Sequence, residues 1–119
     1  MEGQVLLYDS LGQTKASLTP ELEEQIVALY GTTAGQRGVL EITMPLVQKQ
    51  TGKTDCGCFA IAWAVHLAYG DKPETITLNQ KQLRSHLETC LLQQQFTPFP
   101  HCIKKTQRTH SQTLSIILD

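Results

Sequence analysis

Gln48-Lys-Gln50-Thr-Gly-Lys-Thr-Asp55-Cys56-Gly57-Cys58-Phe59-Ala-Ile-Ala-Trp63-Ala-Val-His66-Leu-Ala-Tyr69-Gly70 is the stretch around which the rest of this chain is organised. A polar, glycine-containing turn runs into Asp55-Cys56-Gly57, and an almost wholly apolar segment follows. From Phe59 to Tyr69 only His66 is clearly polar. Apolar on every side, the segment predicts a helix over 56–69 buried in the middle of a domain. It is much shorter than the roughly 20 apolar residues of a membrane span. Alanines at 60, 62, 64 and 68 allow neighbouring elements to approach closely. Cys56 then begins a buried helix, where unpaired backbone N–H groups and the helix dipole favour an anion. A thiolate held there is a candidate nucleophile.

The 119 residues around this segment suit one small domain. With 40% hydrophobic and 18% charged residues, the composition is that of a globular chain rather than a disordered one. A net charge of −1 gives no general pull towards nucleic acid or an anionic membrane. Met1-Glu2-Gly3-Gln4 has neither a basic leader region nor a signal-like apolar run. Without a secretory context, Cys56, Cys58, Cys90 and Cys102 read as reduced thiols rather than as a disulfide framework.

Outward from the central stretch, Gln4 to Tyr8 reads as a short, buried strand, and Asp9-Ser10-Leu11-Gly12 as a turn. Thr19-Pro20-Glu21 opens an amphipathic helix over 20–30, with Thr19 as N-cap and Pro20 at the first helical position. Leu22, Ile26 and Leu29 share its apolar face, and Gly31 can end it. Residues 39–47 alternate as a strand, with Leu40, Ile42 and Met44 on one face and Pro45 marking a bend or an end. Asn79 and Gln82 give a capping-box pattern for a helix over 80–94, whose apolar face is Leu83, Leu87, Cys90 and Leu91. Residues 101–119 read as a tail, either poorly ordered or carrying a frayed extra strand.

Gln50-Thr-Gly-Lys-Thr-Asp55-Cys56-Gly57, followed by an aromatic residue and an alanine-rich helix, resembles the active-site segment of the ubiquitin-like-protein-specific cysteine proteases. These are of the SUMO-protease type and share their fold with adenovirus protease. The family's second element, a strand ending in an aromatic or aliphatic residue before Asp-Ser-Leu/Met, is matched by Val5-Leu-Leu-Tyr8-Asp9-Ser10-Leu11. The resemblance covers about residues 4–100. It implies an α+β, cysteine-proteinase-like fold in which a central helix packs on a mixed sheet. It also implies Cys56 as nucleophile, Gln50 as side-chain donor of the oxyanion hole and Asp9 as the carboxylate that orients a histidine. The implied activity is cleavage after the C-terminal glycine of a ubiquitin-like modifier, released from a precursor or a lysine isopeptide. The implied setting is intracellular, nucleus or cytoplasm, without a cofactor, a metal, nucleic acid or a membrane as partner.

The family's histidine, usually followed by Trp, lies on a strand ahead of the Asp motif, whereas Met1 to Tyr8 hold no histidine. The expectation is therefore the C-terminal half of a catalytic domain over residues 1–100, with the first strand's outer edge unpaired. The alternative is a catalytically inactive remnant that binds a modifier or another protein.

Each role has a chemical reason. A free thiol is only a few per cent thiolate at neutral pH, so an imidazole must draw off its proton and later protonate the leaving amine. A carboxylate beyond the imidazole fixes its tautomer. A glutamine amide, with the nucleophile's own backbone N–H, can bond the developing oxyanion. Gly57 keeps space clear beside the thiol. Gln48 competes with Gln50 but stands at the wrong spacing from Cys56, and is expected to end the strand. Asp55 reads as a helix N-cap, and Cys58 as a core residue.

His66, nearly three helical turns beyond Cys56 and roughly 15 Å along the axis, is too far to serve as base. His86 reads as solvated or satisfied, and His101 and His110 fall in the tail. A papain-type site needs a spacer between Cys-Gly and the second Cys that Cys56-Gly57-Cys58-Phe59 lacks. A zinc site from Cys56, Cys58, Cys90 and a histidine fails because Cys-x-Cys at one helix start is a poor tetrahedral chelate.

Overall fold

The computed structural model describes residues 4–12, 18–30, 39–104 and 112–117. These form an α+β fold in which strands β1 (Gln4–Leu6), β2 (Val39–Met44), β3 (Ile76–Leu78), β4 (His101–Ile103) and β5 (Gln112–Ile117) alternate with helices α1 (Pro20–Tyr30), α2 (Cys56–Ala68) and α3 (Leu83–Gln93). No described helix is long and apolar enough to cross a membrane.

The larger sheet is mixed and ordered β1-β2-β5. β1 runs parallel to β2, with Val5 opposite Ile42. β5 runs antiparallel on the other side, with Ile42 opposite Leu114. Leu7 N–H extends the first pairing to the Thr43 carbonyl at 2.8 Å. β2 is central because its alternation puts Leu40, Ile42 and Met44 inside, while Glu41 stays exposed. It ends at Met44, short of the expected Val47, because Pro45 follows and cannot donate to the ladder. β1 is at an edge, and its buried reading is corrected: Leu6 is half exposed and only Val5 turns partly inward. Residues 112–117 of the expected tail are β5, and residues 101–103 are β4, which pairs antiparallel with β3.

The helix covering the mixed sheet is α1. Thr19 Oγ1 accepts from Leu22 N–H at 3.2 Å and its carbonyl from Glu23 N–H at 2.9 Å, which starts the helix as the sequence predicts. Ile26, with Leu22 and Val27, packs on Leu40 and Ile42. Leu29 points to solvent instead. Gly31, the expected stop, lies outside the described residues.

α2 packs elsewhere. Phe59, Ala62, Trp63 and Val65 join Ile76, Leu78, Leu83 and Phe99 in a second core, flanked by Tyr8, Val47, Cys58 and Leu87. The expectation of a central helix on the mixed sheet, buried all round, is thus corrected. One face of α2 is buried against α3 and the β3–β4 pair, whereas Ala60, Ile61, Ala64, Leu67 and Ala68 are exposed. The helix closes with Gly70 at φ +92°, Gly70 N–H on the Leu67 carbonyl and Asp71 N–H on the His66 carbonyl. That pair is the Schellman stop, and it needs a residue tolerant of positive φ.

The helix expected over 80–94 starts later, at Leu83, after a 3-10 turn over Gln80–Gln82. Neither Asn79 nor Gln82 makes a side-chain cap, and Gln80 between them reaches across to Thr51 of another loop. Leu83 and Cys90 are buried and Leu87 joins them, but Leu91 is 61% exposed.

Candidate active site

Asp9 and Ser10 form the turn that leaves β1. Asp9 Oδ1 accepts from Leu11 N–H at 2.9 Å, and Gly12 N–H bonds the Asp9 carbonyl at 3.3 Å. An Asp at this position holds the turn with its own side chain, leaving its second carboxylate oxygen outside that bond. Gln50 is attached to the same turn twice. Its backbone N–H donates to the Ser10 carbonyl at 2.8 Å, and Ser10 Oγ donates to Gln50 Oε1. Both side chains are buried, Ser10 at 4% and Gln50 at 6% exposure. The two motifs singled out in the sequence therefore meet.

From Gln50 the chain turns through Thr51–Thr54 into α2. Gln50 Nε2 donates to the Gly52 carbonyl at 3.1 Å, with Gly52 at φ +79°, where L side chains are strained. Cys56 is exposed at the first position of α2, and its Sγ donates to the Lys53 carbonyl at 3.5 Å. Gln50 and Cys56 are thus tied to successive carbonyls of one turn. An added Cβ at Gly57 would meet nothing within 4 Å, so the space beside the thiol is open.

Two residues that sequence reasoning passed over, Gln80 and Arg84, hold this turn from outside. Gln80 behaves like a strand edge: its Oε1 accepts from Thr51 N–H and its Nε2 donates to the Thr51 carbonyl, both at 2.8 Å. The same Nε2 donates to Asp55 Oδ2 at 2.9 Å. Arg84 bonds Asp55 Oδ1 through Nε and the Thr54 carbonyl through Nη2, each at 2.9 Å. Asp55 occupies the N-cap position without a side-chain cap, which corrects the capping reading, because its carboxylate is turned towards these donors. The hydrogen bonds from Gln80 and then Arg84 hold that carboxyl below the usual carboxylate range. Gln48, expected to end the strand, instead brackets Leu78 of β3, accepting from its N–H at 2.7 Å and donating to its carbonyl at 3.0 Å. A groove of about 490 Å³ lies on this side, lined by Thr51, Asp55, Leu78, Asn79, Gln80 and Lys81.

Sequence carries no local signal for these long-range polar ties. The Asn79–Gln82 pattern pointed to a cap, and only the Asn79-Gln80-Lys81-Gln82 run marks the segment as rich in donors.

The described histidines are engaged away from Cys56. His66 is fully buried: Phe99 N–H donates to its Nε2 at 3.0 Å, so Nδ1 carries the proton that faces Asp71 Oδ2 at 3.0 Å. His86 Nε2 lies 3.0 Å from the Thr97 carbonyl, with its ring on Phe99. His101 Nδ1 donates to the Phe99 carbonyl at 2.6 Å. His110 lies outside the described residues.

His66, Asp71 and His101 offer ligand atoms within 4.8 Å of one another. The donor set does not fit a metal ion, however. With Nε2 accepting from Phe99, a metal on His66 Nδ1 would leave the ring without either proton. All four cysteines are free thiols.

No family model, no curated protein and no solved structure matches this chain.

Proposed function

We propose that this chain carries the nucleophile and oxyanion part of a cysteine peptidase with a cysteine-proteinase-like fold, acting after the C-terminal glycine of a SUMO-type, ubiquitin-like modifier. One observation carries the reading. Gln50 is bonded through backbone and side chain to the Asp9-Ser10 turn, and through its amide to the turn that delivers Cys56.

In this reading the Cys56 thiolate attacks the carbonyl of the terminal glycine. A second N–H of Gln50 Nε2, beyond the one spent on Gly52, bonds the developing oxyanion together with the Cys56 backbone N–H. The second carboxylate oxygen of Asp9 orients an imidazole supplied from outside the described residues, which takes the thiol proton and returns it to the leaving amine. Water then releases the modifier from the thioester. The engagement of His66, His86 and His101 elsewhere favours a second reading, a modifier-binding module without turnover.

Release of a fluorophore from a SUMO-type modifier's C-terminus, with and without millimolar imidazole as a soluble base, separates the two. Turnover that rises with imidazole and vanishes in Cys56→Ala supports the peptidase. Modifier binding by the folded chain without turnover supports the module, and neither binding nor turnover overturns both.

A further inference from the structure

We propose that Ser10 is a positioning residue that holds the Gln50 amide with its N–H₂ towards the Cys56 turn; the inference rests on the reading of Gln50 as oxyanion donor. A glutamine amide can be turned by 180°, exchanging its oxygen and nitrogen with little change in shape. The Gly52 carbonyl breaks that symmetry, since the turned amide would set two carbonyl oxygens face to face with no proton between them. A hydroxyl can donate or accept, so Ser10 accommodates the orientation that Gly52 selects and secures its other end.

Ser10 itself is fixed. Its carbonyl accepts from Gln50 N–H, and Asp9 Oδ1 on Leu11 N–H closes the turn around it. Both side chains are buried and so shielded from bulk water. Without it, Oε1 loses its partner and the amide is held by Gly52 alone. Stabilisation of an oxyanion depends on donors set in place before the charge forms. One dipeptide, Asp9-Ser10, then serves both halves of the site, the carboxylate directly and the oxyanion donor through Gln50.

The test compares the full chain with Ser10→Ala, which deletes one oxygen, and with Ser10→Cys, which keeps a weak donor. The first readout is hydrogen exchange of the Gln50 side-chain amide by NMR, with the α2 backbone amides as reference. Exchange of the Gln50 amide at least tenfold faster in Ser10→Ala, intermediate in Ser10→Cys and unchanged in α2 supports the proposal. An unchanged Gln50 amide, or equal loosening of α2, overturns it; if Ser10→Ala does not fold, Ser10→Cys carries the same comparison.

The second readout is imidazole-assisted turnover. A roughly tenfold fall in kcat with KM unchanged, and no further fall when Ser10→Ala is added to Gln50→Ala, supports positioning through Gln50. An additive loss overturns it. Absence of turnover in every variant, with the exchange result intact, removes the peptidase reading and leaves the Ser10–Gln50 coupling standing.

Discussion

Asp55 is held by Gln80 and Arg84 at the position immediately before Cys56. Its carboxyl binds a proton less readily in the folded chain than in the unfolded one. The ties therefore add stability above the unfolded carboxylate value of about 3.9, and lose it as pH falls through the lower folded value. Following the Asp55 carboxyl carbon by NMR, Arg84→Ala should move its titration up towards the ordinary value and speed exchange of the Thr51 amide. A titration that does not move would mean that Arg84 contributes nothing to the turn. At this scale the sequence was legible where a motif was contiguous: the family resemblance singled out Asp9, Gln50 and Cys56, and the structure brings the Asp9-Ser10 turn and Gln50 together. His66, the one polar residue in an apolar run, could be marked but not explained. Its partners, Asp71 and Phe99, come from the helix stop and from a loop 33 residues on.

Among elements, α2 is one whose environment the sequence misjudged. Its composition is apolar all round, but only the face of Phe59, Ala62, Trp63, Val65 and His66 meets α3 and the β3–β4 pair. Periodicity cannot distinguish the two faces of such a helix, because both are apolar. α1 and β2 were legible for the opposite reason: a Thr-Pro pair fixes where α1 starts, and strict alternation fixes which way β2 faces. The assignment of faces makes a direct prediction. Phe59→Ala should cost about 3–5 kcal/mol, whereas Ile61→Ala, on the outer face, should cost less than about 1 kcal/mol. Urea unfolding midpoints measure both. Equal losses would place Ile61 in a core that the structure does not give it.

Across the described residues, two cores divide the work. α1 and the mixed sheet form one; α2, α3 and the β3–β4 pair form the other. Tyr8, at the end of the first strand segment, packs beside Trp63 of the second core, so the Asp9-Ser10 turn is set between them. Burial first and the nearby Glu74 carboxylate second push the Tyr8 phenol up. The class, α+β, was legible from the alternation of patterns, but the pairing of β5 with β2 was not. It joins residues 68 to 78 positions apart in sequence, and the polar, basic composition ahead of β5 gave no strand signal.

The central claim is that Cys56 is set apart from the other thiols by a site that addresses a modifier's C-terminus. Cys102 is the internal control, since it is also exposed. The most direct measurement is mass mapping of adducts formed with a SUMO-type modifier carrying an electrophile in place of its terminal carboxylate. The account predicts one adduct at Cys56, favoured over Cys102 by more than tenfold and abolished in Cys56→Ala. Equal labelling of Cys56 and Cys102, or no labelling of a folded chain, would contradict it.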